Sequence, residues 1–206
     1  MNIKNFSQKA GLDGILAGVS AFLYAYSFLI LSRTDAKTGA LLAGLFLMLT
    51  GLFAMKPFIA LYRRFKDLDS GYAIYAQWMS LIGALGMVMH GGYDLANAIN
   101  PPMTNLPALA SLPSQVDPRG LLTFGMLGVG IFTYSLLMKW SKKFPDGLVY
   151  VAMLTSFFLV VLYLGRLVVL NPGSPLIAYP ALLNGFLIGP VFYLWLGWYL
   201  WQGKRG

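Results

Sequence analysis

The residues of this sequence that could do chemistry gather around a single histidine. His90 is the only histidine of the 206-residue chain, and Asp94 follows it four residues later, at the end of a long apolar run. A spacing of four residues places both side chains on one face of a helix. The pair is the smallest unit for general acid–base chemistry, with Asp94 orienting the imidazole. The simpler interpretation is a hydrogen-bonded core histidine without a chemical role.

The composition excludes most other catalytic chemistry. The chain has no cysteine, which removes disulfides, thiolate nucleophiles and cysteine metal ligands. Its seven acidic residues are all aspartates and it has no HExxH motif, so we expect no metal site and no cofactor. The residue counts would allow haem held by His90 and a methionine, but a methionine in an apolar helix usually serves packing. No nucleophile-elbow glycine pattern surrounds Ser27, Ser111 or Ser114, which weakens the case for a serine nucleophile.

Long apolar runs identify the class of protein. The chain is 58% hydrophobic and 11% charged, whereas a soluble domain has about 25% charged residues. Runs of about 20 apolar residues are long enough to cross a bilayer. The sequence therefore predicts an all-α fold, a polytopic membrane protein built as a bundle of six transmembrane helices. The net charge of +8 resides mostly in short loops, so we expect no nucleic-acid partner.

The six helices are predicted to form one domain over residues 1–206. The first is interpreted as a retained helix and not as a cleaved signal, because no small-x-small cleavage pattern follows it. Pro57 removes a backbone hydrogen bond and predicts a kink in the second helix. Gly14 and Gly18, four residues apart, predict a face that another helix approaches closely. The helices are expected at about residues 12–31, 39–62, 71–98, 120–140, 148–170 and 179–201.

The distribution of basic residues predicts the orientation in the membrane. Six helices put both termini on one side, and ten of the fifteen Lys and Arg residues lie there, against three in the loops of the other side. The positive-inside rule then predicts cytoplasmic termini and a plasma or inner membrane location. The long loop at 103–119 lies outside, and its apolar composition predicts that residues 103–118 fold back as a partial lid.

Polar residues recur at one depth, in the outer part of the helices. Ionisable groups in membrane spans are costly, so each calls for a partner or a function. We hypothesise that Asp94 pairs with Arg166 across the third and fifth helices; a purely structural strut, or an Arg166 that extends to the headgroups, is the alternative. Asp13 and Lys56 form a second candidate pair, interpreted as structural. The candidate ligand-binding or ion-pair residues are His90, Tyr93, Asp94, Asn97, Tyr163, Arg166 and Asn184.

Three classes of function fit an outward-facing polar pocket between the third, fifth and sixth helices. The first is binding of a small or lipid-like ligand, or of a membrane partner subunit. The second is a membrane-embedded enzyme, and the third a small proton or solute transporter, both using His90 and Asp94. Apart from the lipid bilayer, the partners left open are a small hydrophobic ligand, a partner subunit and a second copy of the chain.

Three segments carry a resemblance to known proteins. They are the turn Leu61-Tyr-Arg-Arg, the segment His90-Gly-Gly-Tyr-Asp-Leu-Ala-Asn and the helix start Asp117-Pro-Arg119. In these the chain resembles uncharacterised six-helix integral membrane proteins of bacteria. The resemblance implies the six-helix architecture and a bacterial inner membrane, and it implies no activity.

Overall fold

The computed structural model describes residues 3–101, 116–169 and 174–203, and every regular element within them is helical. Six helical units are long and apolar enough to cross a membrane, which confirms the predicted all-helical, multi-pass class. We number them α1 (Asn5–Thr34), α2 (Ala36–Phe65), α3 (Ser70–Ile99), α4 (Pro118–Ser141), α5 (Asp146–Val168) and α6 (Pro175–Trp201).

Several helix boundaries differ from the predicted ones, and α6 begins at Pro175 instead of near residue 179. The helix that contains the first span begins at Ile3, well before the predicted start near residue 12, because the polar N-terminal residues continue the helix beyond the apolar run. The loop predicted at 32–38 is reduced to a break at Asp35, whose carboxylate accepts a 3.1 Å hydrogen bond from the Thr38 N–H and caps α2. α2 then runs through Pro57 without interruption, and the kink there stays a prediction.

The six helices form a ring in chain order. Each helix packs on the next one in sequence, and α6 closes the ring by packing on both α1 and α5. The Ser7 hydroxyl donates a 3.1 Å hydrogen bond to the Leu200 carbonyl, so the first turns of α1 and the last turns of α6 lie at the same end. We call this the terminal end of the bundle, and the other the opposite end.

The terminal end is filled by buried aromatic side chains. Phe58 stacks on Tyr134 with ring centroids 6.1 Å apart, and Tyr193 meets Phe58 edge-on at 6.3 Å. The Tyr134 hydroxyl donates a 2.9 Å hydrogen bond to the Phe58 carbonyl. Phe65 continues the cluster toward the terminal end by packing on Tyr134. These rings close the interior of the ring on this side.

A second feature of the terminal half is the ion pair between Asp13 and Lys56. The Lys56 ammonium lies 2.7 Å from the Asp13 carboxylate, and the two side chains are 53% and 12% exposed. This confirms the predicted pair between α1 and α2. Because Lys56 keeps half of its side chain exposed, the pair joins two helices without burying a full charge.

Glycines allow the closest approaches between helices. A β-carbon at Gly14 would lie 2.8 Å from the Gly197 Cα, and one at Gly18 would lie 2.7 Å from Leu194, so the predicted glycine face of α1 packs on α6. On α3, a β-carbon at Gly91 would lie 2.5 Å from the backbone nitrogen of Met48. The backbones of α2 and α3 therefore touch where Gly91 stands, one residue after His90.

The neighbouring glycines of α3 give a matched pair of variants. Gly91→Ala is expected to destabilise the protein by about 1–3 kcal/mol, because the added carbon meets a backbone that cannot yield. Gly92→Ala places its carbon 3.9 Å from the Met48 sulfur and gains helix propensity of up to about 1 kcal/mol. Thermal unfolding in detergent compares the two. Equal stability of the two variants would contradict the close packing of α2 and α3.

Candidate ligand-binding site

A cavity of about 450 Å³ lies inside the ring and is bordered by all six helices. It extends from Arg33, at the opposite end of α1, to Thr50, Thr155 and Tyr193 near the middle of the bundle. Its volume falls in the range of about 300–1,000 Å³ that is usual for small-molecule sites. Below Tyr193 the buried aromatic rings close the bundle, so the described lining stops short of the terminal end.

Four of the seven predicted site residues line this cavity. They are His90 and Asp94 on α3, Arg166 on α5 and Asn184 on α6. Counting residues along the predicted helices places all four at one depth in the membrane. The cavity is also lined by α1, α2 and α4. The predicted pocket was lined by the third, fifth and sixth helices alone.

The other three predicted residues do not appear in the described lining. Tyr163 packs on α4, where a β-carbon at Gly125 would lie 3.2 Å from its ring. Tyr93 and Asn97 are partly buried on α3; Asn97 lies on the face of His90 and Asp94, about one turn nearer the end of the helix. Of the predicted lid, residues 103–115 lie outside the described part of the chain.

Three helices depart from regular α geometry at this cavity. π-helical turns occupy Ser27–Leu31 of α1, Leu121–Met126 of α4 and Asn184–Ile188 of α6, and each closes with an N–H bonded to the carbonyl five residues earlier. Each of these turns contributes side chains to the lining. π-helical turns are rare and occur frequently at functional sites. Their convergence on one cavity marks this region as the candidate site.

The irregular turns have local causes in the sequence. In α6, Pro190 has no N–H with which to satisfy the carbonyl four residues earlier, so the regular pattern cannot continue through it. In α4, Arg119 and Gly120 adopt left-handed backbone conformations with φ of 59° and 77°. A non-glycine residue with positive φ is uncommon and carries strain. The start of α4 is therefore held in place by other contacts.

Asp117 supplies these contacts. Its two carboxylate oxygens accept hydrogen bonds of 2.8 Å from the Leu122 N–H and 3.0 Å from the Thr123 N–H. Burial opposes ionisation of this carboxylate, but the interactions with His90, with Thr123 and with these backbone N–H groups outweigh it and lower the pKa of Asp117 to about 2. Asp117 thus caps the π-helical turn Leu121–Met126 as a buried, ionised group.

His90 lies between two carboxylates. Its Nε2 is 3.4 Å from Oδ2 of Asp94, which confirms the predicted contact across one helical turn, and its Nδ1 is 3.6 Å from Oδ2 of Asp117. The Asp117 side chain is fully buried, whereas that of Asp94 is 46% exposed. A proton on either ring nitrogen therefore faces a carboxylate. Both separations are longer than a good hydrogen bond, and Nδ1 has no hydrogen-bond partner among the described residues. The two carboxylates thus place negative charge beside an imidazole that can hold or pass on a proton.

Sequence analysis did not predict the role of Asp117. Its position between a long loop and an apolar run was interpreted as the start of the fourth helix and nothing more. The dipeptide Asp117-Pro118 is typical of an N-cap and a first helical residue, but it does not indicate bonds to the N–H groups of Leu122 and Thr123, five and six residues on. The contact of Asp117 with His90 joins residues 27 positions apart in the chain, and no local pattern reports it.

The hypothesised ion pair between Asp94 and Arg166 is not formed. All seven aspartates lie in the described part of the chain, and none places an oxygen within 4.0 Å of an Arg166 nitrogen. Asp94 lies closest to His90 on its own helix, and the Arg166 guanidinium lies over the ring of Phe124, 5.2 Å from its centroid. The predicted direct ion pair was wrong, although both groups line the same cavity and interact electrostatically at longer range.

Four polar atoms at the cavity lack hydrogen-bond partners among the described residues: Nδ1 of His90, the Thr123 hydroxyl, the Asn184 amide oxygen and the Tyr193 hydroxyl. Asn184 is 8% exposed and Tyr193 is 4% exposed, yet the amide oxygen of Asn184 and the hydroxyl of Tyr193 make no hydrogen bond there. In folded proteins roughly 90% or more of buried polar groups are hydrogen-bonded. The Asn184 oxygen and the Tyr193 hydroxyl are therefore available to a polar group of a molecule held in the cavity.

The cavity borders the lipid-facing surface between α1 and α6. The first part of α6, Pro175–Leu183, packs on α5, whereas substantial contact with α1 begins at the π-helical turn Asn184–Ile188. Two lining residues on either side of this gap, Phe28 and Leu182, are 55% and 38% exposed. Within the described residues, the ring is thus least closed between the end of α1 and the start of α6.

The described side chains do not form a metal site. No group of three His, Asp or other ligating side chains in residues 3–101, 116–169 and 174–203 is arranged to hold a metal ion. Asp94 and Asp117 face different nitrogens of His90, so the three side chains do not converge on one point. The expectation of no metal or cofactor stays a prediction.

Comparison with known proteins gives no relative. No protein-family model matches the chain, and no curated protein and no solved structure matches it. The function therefore has to be argued from the geometry of the cavity.

Proposed function

We propose that this chain is a membrane-embedded binding protein whose central cavity receives a small, lipid-like ligand. One observation carries the proposal: three helices break their regular geometry at a single cavity, each through a π-helical turn. Such turns cost regular hydrogen bonding, and a bundle that served only as a scaffold would not need three of them around one space.

The character of the lining supports a ligand with a polar and an apolar part. Leu127 and Leu159 contribute apolar surface in the middle of the bundle. Asn184 and Tyr193 contribute buried polar atoms without protein partners. Sites for small molecules are usually apolar with a few convergent polar groups.

The orientation in the membrane is part of the proposal. The excess of Lys and Arg in the termini and in the loops of the terminal end favours a cytoplasmic location for that end. The cavity then opens toward the outer leaflet of a plasma or inner membrane. The aromatic cluster at Phe58, Tyr134 and Tyr193 disfavours a transporter, because alternating access needs a path toward both sides.

Ligand-induced stabilisation tests the proposal. We expect at least one compound from a panel of membrane lipids, single-chain amphiphiles and small metabolites to raise the unfolding temperature of the purified protein. A ligand at 100 times its Kd stabilises the folded state by about 2.7 kcal/mol. No stabilisation by any compound of the panel would contradict the proposal and favour a structural or assembly role.

Two amide residues provide a matched control. The Asn184 and Gln77 side chains each carry a buried oxygen without a hydrogen-bond partner in the described residues, but Asn184 lines the cavity and Gln77 is absent from its described lining. Asn184→Leu is expected to reduce ligand-induced stabilisation, and Gln77→Leu to leave it unchanged. Equal effects of the two variants would show that the cavity is not the binding site.

An acid–base enzyme is the second candidate function. The observation that favours it is the row of Asp117, His90 and Asp94, in which a buried carboxylate faces one side of the imidazole and the other side meets the cavity. A general base of this kind would act on an ionisable group of the bound ligand. Turnover of a compound that stabilises the protein, lost in His90→Gln with binding retained, would support an enzyme.

A further inference from the structure

We infer that the ligand of this cavity is an anionic, single-chain amphiphile that enters from the bilayer between α1 and α6 and places its charged group against Arg166. This inference rests on the proposed binding function and specifies its ligand. It starts from the charges that line the cavity. These are Arg33, Arg166 and Asp94, together with His90.

The cations and the carboxylate at this cavity differ in how they are compensated. Asp94 has a direct contact with His90 at 3.4 Å, and it interacts electrostatically with Arg166 only from beyond ion-pair distance. Arg166 is partly buried, and no aspartate of the chain lies within 4.0 Å of it in the described structure. A guanidinium in a membrane span is costly without a counter-ion. Its five N–H donors form a planar fork that matches a carboxylate or a phosphate.

The surroundings of Arg166 leave this fork available. The guanidinium lies over the Phe124 ring, so one of its faces is occupied by a cation–π contact while its edges keep their N–H groups. A β-carbon at Gly120 would lie 3.3 Å from an Arg166 nitrogen, so the guanidinium packs closely against this glycine in the first turn of α4. Arg33 adds a second cation at the same end of the cavity.

The route of entry follows from the packing of α6. Its first part, Pro175–Leu183, packs on α5 and leaves a gap toward α1 in the described structure. The exposed lining residues Phe28 and Leu182 border this gap and are apolar. An acyl chain can pass such a border without leaving an apolar environment, whereas a soluble ion cannot. The acyl chain would then lie along Leu127 and Leu159 toward Tyr193.

A series of probes with one alkyl chain tests the inference. Six compounds are titrated separately into the protein in phosphatidylcholine nanodiscs, and the unfolding temperature is measured for each. The alkyl probes are dodecyl phosphate, dodecanoate, dodecanol, dodecyltrimethylammonium and dodecylphosphocholine, and the sixth compound is inorganic phosphate. We expect dodecyl phosphate and dodecanoate to bind at least about ten-fold more tightly than dodecanol, a difference that corresponds to about 1.4 kcal/mol. Inorganic phosphate alone is expected to give no shift.

Variants of the two cations within helices locate the charged group. Arg166→Gln is expected to reduce the affinity for dodecyl phosphate to that for dodecanol, and Arg166→Lys to retain part of the preference. Lys56→Gln is the control, because Lys56 also lies within a helix but pairs with Asp13 and is absent from the described lining. We expect it to leave the preference unchanged. The Lys variant keeps the test informative if Arg166→Gln does not fold.

Several outcomes would overturn the inference. They are equal binding of dodecanol and dodecyl phosphate, a preference for the cationic or the zwitterionic probe, and an unchanged preference in Arg166→Gln. A shift by inorganic phosphate equal to that by dodecyl phosphate would refute entry from the bilayer. If none of the alkyl probes binds while another compound stabilises the protein, the inference fails and the proposed binding function stands. If no compound of either panel binds, both the inference and the proposed binding function are contradicted.

Discussion

Replacing Asp117 by alanine is expected to lower the free energy of unfolding by about 2–4 kcal/mol, because the Leu122 and Thr123 N–H groups lose their acceptor and each unsatisfied buried donor costs about 1–3 kcal/mol. Both hydrogen bonds have ordinary lengths, 2.8 and 3.0 Å, and the carboxylate is fully buried. The variant also removes the carboxylate that faces Nδ1 of His90. Reversible unfolding in mixed micelles measures the loss.

Asp69 provides the matched control for this prediction. It also caps a helix, but it accepts a single 2.9 Å hydrogen bond from the Tyr72 N–H at an exposed helix end. Asp69→Ala is expected to cost about 1 kcal/mol or less, as is typical of an exposed cap. If Asp69→Ala and Asp117→Ala lose the same stability, Asp117 is an ordinary cap, and the ordered start of α4 has another cause.

The lowered pKa of Asp117 adds a pH dependence. Its pKa of about 2 lies below the usual value near 4 for an unfolded chain. The ionised carboxylate therefore stabilises the folded state fully above about pH 4, and this contribution is lost as the pH falls toward about 2. The difference in stability between the wild type and Asp117→Ala should shrink over that range. A constant difference would show that the charge of Asp117 does not stabilise the fold.

The second large effect is expected from filling the cavity. Leu159→Trp places a larger side chain in the cavity, where Leu159 is 6% exposed and part of the lining. We expect the variant to abolish ligand-induced stabilisation, a loss of about 2.7 kcal/mol at a ligand concentration 100 times the wild-type Kd. Without ligand the variant should still fold, because the cavity accommodates part of the added ring.

Leu154→Trp is the control for the filled cavity. Leu154 lies on the same helix, is 47% exposed and is absent from the described lining. We expect this variant to bind ligand as the wild type does. Retained binding in Leu159→Trp, or equal loss in both variants, would contradict a ligand site inside the ring.

The parts of the fold that sequence analysis predicted are those that depend on local composition. Six apolar runs of sufficient length are enough to predict six spans, because the bilayer imposes the length. The contact between His90 and Asp94 follows from helical periodicity alone. The pair of Asp13 and Lys56 combines two charges at matching depth on consecutive helices, where few other partners are available.

The parts that were missed depend on the rotation of helices and on breaks in them. Depth along the membrane can be counted from the sequence, and this brought His90, Asp94, Arg166 and Asn184 to one level. Which face each helix turns inward is decided by packing between helices, so counting residues could not show that Asp94 and Arg166 do not form a direct ion pair. The π-helical turns were missed as well, and each of them shifts the helical register so that later side chains point in other directions than counting predicts.

The central claim is that the cavity inside the ring holds an amphiphile, and native mass spectrometry tests it most directly. The protein is extracted from its membrane in a mild non-ionic detergent, and the wild type is compared with Leu159→Trp under conditions that retain tightly bound molecules. We predict one bound amphiphile of defined mass on the wild type and none on the variant. A folded wild type without any bound molecule, or the same bound mass on both proteins, would contradict the claim.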